Sequence, residues 1–101
     1  MIVKSKKVNP KGITGELLFG LLIADSIYST YVKELVITSL NDGIHGEWSF
    51  HSRDGKCNAA DLRTSNVDDP KPIADRIRNM LHDDFDVVLE VDHIHLEYDP
   101  K

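Results

Sequence analysis

Apolar residues recur along this chain with two periods, and the change from one to the other marks the elements. Between Gly15 and Tyr31, Leu17, Leu18, Leu21, Leu22, Ala24, Ile27, Tyr28 and Tyr31 recur at helical spacing. Thr14 is a good N-cap for this helix. The apolar arc is broad, which predicts the more buried of two helices. Gly20 lowers helix propensity there but suits close packing against another element. A second helix is expected from Pro72 to His82, with Pro72 at its first position and Ile73, Ile77, Met80 and Leu81 on its buried face. Asp83 and Asp84 should end it.

The period shortens to two in the strand-like segments. Glu34–Ser39 is rich in β-branched residues, and the turn Asn41-Asp42-Gly43 follows it. Asn58–Arg63, Asp86–Val91 and Ile94–Tyr98 read as three further strands, the last two as a hairpin. In the last strand Ile94, Leu96 and Tyr98 point one way, and His93, His95 and Glu97 the other. Residues 44–58 show no clean period and read as a shaped loop with a short extended piece near 48–51. Residues 1–12, with Asn9-Pro10-Lys11-Gly12, read as a turn-rich, flexible lead-in. The order helix, strand, loop, strand, helix, hairpin predicts one α+β domain over 1–101, with two helices and a small, mainly antiparallel sheet.

Composition narrows the function classes. The 101 residues are 41% hydrophobic and 29% charged, as in ordinary globular domains. The formal net charge of -5 argues against nucleic acid as a partner, since no basic surface is left to neutralise phosphates. Lys4, Lys6, Lys7 and Lys11 cluster near the N-terminus, and a solvated end is favoured there over a docking patch. Cys57 is the single cysteine, so no intrachain disulfide forms. No secretory signal is read at Met1-Ile2-Val3-Lys4, and the apolar run Leu17–Ala24 is too short to span a bilayer. The expectation is a monomer without a membrane partner, cytoplasmic as synthesised.

The candidate chemistry lies in Ser49-Phe50-His51, in Asp61-Leu62-Arg63-Thr64 and in Asp92-His93-Ile94-His95. Two histidines and an aspartate offer two neutral nitrogens and one anionic oxygen, a reasonable zinc ligand set with a position left open for water. Zinc lowers the pKa of such a water towards about 7, and a nearby carboxylate can take its proton. Two histidines on the polar face of a strand, by themselves, are more often solvent-facing than ligating. Trp48 and Phe50 could wall a cleft or pack in the core.

The stretch from Asp42 through Thr64, followed by Asp92-His93-Ile94-His95, resembles the zinc-binding segments of LAS-type peptidoglycan peptidases. These include D-Ala-D-Ala carboxypeptidases and phage L-alanyl-D-glutamate endolysins. It is also similar to the amino-terminal domain of hedgehog proteins, which shares that fold. The resemblance covers roughly residues 35–98. It implies zinc ligands at His51, Asp61 and His95, one zinc per chain, and a general base at Asp92, with Glu90 as the alternative. It places Ser49 beside the site and His45 and His93 in the cleft, where they could hold an oxyanion or a substrate carboxylate.

Two departures stand out. The segment from Ser52 to Ala60 is longer than its family counterpart, so Ser52–Asn58 reads as an insertion; otherwise His45 replaces His51 as ligand. The family's substrate-binding arginine after the first strand is absent from Leu40-Asn41-Asp42, with Arg53 and Arg63 as possible replacements. The resemblance therefore implies a small phage- or prophage-type zinc peptidase cutting stem peptides or cross-links of peptidoglycan, delivered to the wall by a separate route. The competing reading is a non-catalytic, hedgehog-like zinc module that binds a partner. A small acidic structural protein without metal is a third.

Overall fold

The structure, a computed structural model, describes residues 1–41 and 53–101. Helix α1 spans Gly15–Thr30, and its start follows the sequence. Thr14 Oγ1 accepts from the Leu17 N–H at 3.1 Å and donates to Asn58 Oδ1 at 2.6 Å. One hydroxyl thus caps the helix and ties it to the chain entering strand β3 (Ala59–Arg63).

Leu17, Leu21, Ala24, Ile27 and Tyr28 of α1 are buried, whereas Leu18, Phe19 and Leu22 remain in water. The buried stripe is narrower than the sequence predicts because the sheet and the second helix cover α1 on its inner side. Gly20 lies against Phe85, where an added Cβ would come within 2.6 Å of the ring. The close packing expected of this glycine is present.

Helix α2 covers Pro70–Leu81, beginning two residues before the expected start. Asp69 is its N-cap, accepting from the Lys71 N–H at 3.1 Å, and Pro70 occupies the first turn. Ile73, Ala74, Ile77 and Leu81 form its buried face, while Met80 is exposed. The helix stops where His82 takes a positive φ of 58° and opens a single 3-10 turn over His82–Asp84.

The sheet has five strands in the order β1-β2-β3-β5-β4. Strand β2 (Val36–Ser39) pairs antiparallel with β3, β3 with β5 (His93–Tyr98), and β5 with β4 (Phe85–Leu89). Strand β1 (Ile2–Val3) adds a parallel edge beside β2. The sheet is therefore mixed, though mostly antiparallel, and the domain is α+β.

Strand β1 has no counterpart in the sequence reading, because two residues carry no readable period. Its neighbours are ordered as well: Val8 is buried, and the Asn41 N–H donates to the Asn9 carbonyl at 2.8 Å. Ile37, Leu62, Ile94, Leu96 and Val87 face the helices and form the core. Each fully buried Leu or Ile contributes roughly 2 kcal/mol. The opposite face of the sheet carries the polar residues.

The segment read as an insertion divides in two. Residues 54–56 are exposed around a short 3-10 turn, Arg53–Gly55. Cys57 is buried, and its N–H donates to the Gly12 carbonyl at 2.8 Å while its own carbonyl accepts from the Thr14 N–H. Gly12 has φ +76°, and a Cβ there would collide with the Gly55 carbonyl. This clasp joins the segment to the start of α1, so its C-terminal part belongs to the fold. Among the described residues, no helix is long and apolar enough to cross a membrane.

Candidate metal centre

The polar face of the sheet is organised by the register of β3 against β5. Asp61 lies directly opposite His95, and Arg63 opposite His93. Residues opposed in an antiparallel pair have Cβ atoms about 4.5–5.5 Å apart, within side-chain reach of each other. His95 Nδ1 accordingly sits 3.0 Å from Asp61 Oδ1, and His93 Nε2 sits 3.6 Å from the same oxygen. Both imidazoles converge on one carboxylate.

Each ring is also held from its other side. His95 Nε2 is 2.7 Å from Glu97 Oε1, and His93 Nδ1 is 2.6 Å from Asp92 Oδ1. The set is partly shielded, with Asp61, His93, His95 and Glu97 side chains between 20% and 28% exposed. Asp92 is 86% exposed.

The electrostatics follow from this placement. The His95 pKa is pushed up from 6.5 to about 9, first by its hydrogen bond to Asp61 and further by Glu97, while burial works against the charge. In that form His95 donates from both nitrogens, one to each carboxylate. A divalent cation could replace the proton on Nδ1. Glu97 would then keep its hydrogen bond from Nε2–H, the carboxylate–histidine bracing commonly found around metal ligands. Asp92 is placed to do the same for His93. One ligand atom each from Asp61, His93 and His95 all lie within 4.8 Å of one another. Two nitrogens and one carboxylate oxygen, already convergent and braced, fit a divalent transition metal.

The expected residues are therefore only partly assembled here. Asp61 and His95 are brought together, and His93 joins them as a third donor. Asp92 lies in the turn between β4 and β5, the position it would need to act as a base, but its carboxylate is hydrogen-bonded to His93. Glu90 closes the same turn, its N–H donating to the His93 carbonyl at 2.8 Å. Arg63 lines an open groove beside Asp61 and His93. His45, Trp48, Ser49 and His51 lie outside the described residues.

Two contributors were missed by sequence reasoning. Glu97 was legible as a member of the same strand face, although nothing in the pattern gave it a partner. Lys4 also lines the groove, and the sequence offered only a basic cluster there. A second group, Asp86, Glu97 and Asp99, lies further along the same face. Comparison of the chain with protein-family models, with curated proteins and with solved structures found no match.

Proposed function

We propose that this domain is a zinc-dependent peptidase whose metal is held by Asp61, His93 and His95. The observation that carries the proposal is the convergence of two carboxylate-braced imidazoles on one Asp61 oxygen. The sequence resemblance adds the reaction class and the substrate, peptide stems or cross-links of peptidoglycan. Bound there, zinc would supply a Lewis acid that polarises a carbonyl and makes water acidic near neutral pH.

The chain's own residues would perform the remaining tasks. Glu97 and Asp92 fix the ring orientation and tautomer of His95 and His93, leaving one lone pair of each ring directed towards Asp61. A carboxylate must also accept the proton of the attacking water and return it to the leaving amine. Exposed Asp92 is the candidate for that task, and Glu90 the alternative.

The engagement of Asp92 by His93 favours a second reading, in which the same centre is a non-catalytic zinc module that binds a partner. One set of measurements separates the two. Elemental analysis of protein purified without added metal should find about one zinc per chain, and mass spectrometry should find cleavage of defined muropeptides. His93→Ala should lose the zinc. Zinc retained in His93→Ala but lost in His51→Ala would move the third ligand to His51. Stoichiometric zinc without cleavage of any stem peptide would leave the binding module.

A further inference from the structure

Helix α1 is apolar on both sides, and the core takes only one of them. Gly15, Leu18, Phe19, Leu22, Ser26 and Ser29 recur three or four residues apart along its outer side, and all are exposed. None is charged, in a chain that is 29% charged. Leu18, Phe19 and Leu22 at the centre of this stripe are 44%, 57% and 54% exposed. A helix that is apolar all round is ordinarily covered all round. Half of three large side chains is roughly 300 Å² of apolar surface, a size at which one patch on a small protein is commonly functional.

The stripe runs into a groove of about 480 Å³ beside Phe19. Leu81 from the end of α2 and the rings of Phe85 and Tyr98 complete its apolar lining. The two rings pack together with centroids 5.3 Å apart, and Gly20 lets the backbone of α1 approach Phe85. The groove is thus built by both helices and the β4-β5 hairpin. Its charged lining residues, among the described residues, are both acidic, Glu16 and Asp84. Helix α1 contains no basic residue, and its other carboxylate, Asp25, is held by the Met1 ammonium at 3.1 Å.

Charge selects among the occupants that such a face could take. A second copy would bring an identical acidic rim to the interface by symmetry, between molecules of formal net charge -5. The stripe also falls short of the roughly 800 Å² per partner typical of a stable dimer. An anionic membrane would be repelled by the same rim. A basic amphipathic helix complements both features, with apolar side chains laid along the stripe and into the groove and with lysines or arginines meeting Glu16 and Asp84.

We infer that the outer side of α1 and the adjoining aromatic groove form a docking surface for a basic amphipathic helix of a partner protein. The helices and the candidate metal ligands occupy opposite faces of the sheet, so this surface is independent of the metal reading.

The test is fluorescence anisotropy with three labelled 14-residue peptides at physiological salt. One carries leucine and lysine at helical spacing, one replaces its lysines by glutamate, and one scrambles the first. The patterned leucine–lysine peptide should bind at least about tenfold more tightly than the other two, and more weakly as salt rises. Phe19→Ser and Leu22→Ser should each weaken it about tenfold. Glu16→Gln and Asp84→Asn should each cost roughly threefold, as exposed charges do. Val91→Ser, which changes an exposed apolar residue of the β4-β5 turn, should leave binding unchanged. Melting temperatures should hold in all five variants, since the changed side chains are exposed.

Equal binding of the patterned and scrambled peptides, or parental binding by both Phe19→Ser and Leu22→Ser, would overturn the proposal. So would sedimentation velocity showing a dimer of the protein alone that Phe19→Ser dissociates, which would give the face to a second copy. Binding to phosphatidylglycerol vesicles that Phe19→Ser abolishes would give it to a membrane and equally overturn the proposal.

Discussion

The polar face of the sheet carries two groups of potential ligands, and they differ in who supplies the positive charge. Asp86, Glu97 and Asp99 lie near the open end of the β4-β5 hairpin. Lys101 serves that group, its Nζ lying 3.2 Å from Asp86 and 3.3 Å from Asp99. This is a set of half-buried carboxylates, two of which the chain already pairs with a lysine. In the other group the positive charge on Asp61 is an imidazolium, His95, which can give up its proton. A lysine holds its proton through the physiological range, whereas a histidine can exchange it for a metal. Glu97 stands between the groups, and its carboxylate is hydrogen-bonded to His95. Similar residue types on one face thus offer different chemistry, because one group contains nitrogens able to ligate.

The largest effect that would break this contrast is on metal affinity. Asp61→Ala removes the oxygen on which both rings converge and should weaken zinc binding by at least about 100-fold, whereas Asp86→Ala should leave it unchanged. Competition with a chromophoric chelator measures both. Equal losses from the two variants would show that the groups act as one site.

A smaller effect should separate the two bracing carboxylates. Glu97→Gln should lower zinc affinity about 10- to 100-fold, since it removes the partially shielded brace of His95. Asp92→Asn should fall at or below the low end of that range, because Asp92 is solvent-exposed. If Asp92 also serves as base, its variant should lose roughly 100-fold or more in turnover on a muropeptide while zinc is largely kept. Turnover equal to the parent would remove Asp92 from the chemistry and leave Glu90→Gln as the variant to compare.

The smallest effect is on stability against pH in metal-free protein. The folded state binds the His95 proton more tightly than the unfolded chain, with a pKa raised from 6.5 to about 9. The stabilisation is therefore fully present below about pH 6.5 and is lost as pH rises through about 9. Calorimetric melting temperatures should decline by a few degrees over that window, and Glu97→Gln should flatten the decline. Zinc should act in the opposite sense, stabilising more as pH rises, because it must displace the same proton.

Much of this could be read locally. Alternation along β5 already puts His93, His95 and Glu97 on one face and Ile94 and Leu96 on the other, because successive side chains of a strand must point to opposite sides. Thr14 announces the start of α1 through its hydroxyl, and Gly20 its close approach to another element. The start of α2 was less clear, because Pro70 and Pro72 both suit a first turn and only the Asp69 cap distinguishes them.

What the sequence left open depends on distance across strands. The pairing of Asp61 with His95 is one register among several, and a slip by one residue would send one of the two to the core face. That register is set by the burial of Leu62, Ile94 and Leu96 against the helices, a property of the assembled core. Nor does any local pattern reveal that Ile2 and Val3 close the edge of the sheet. Only that parallel pairing carries Lys4 to the groove beside Arg63 and gives a residue from a basic, turn-rich lead-in a place next to the metal ligands.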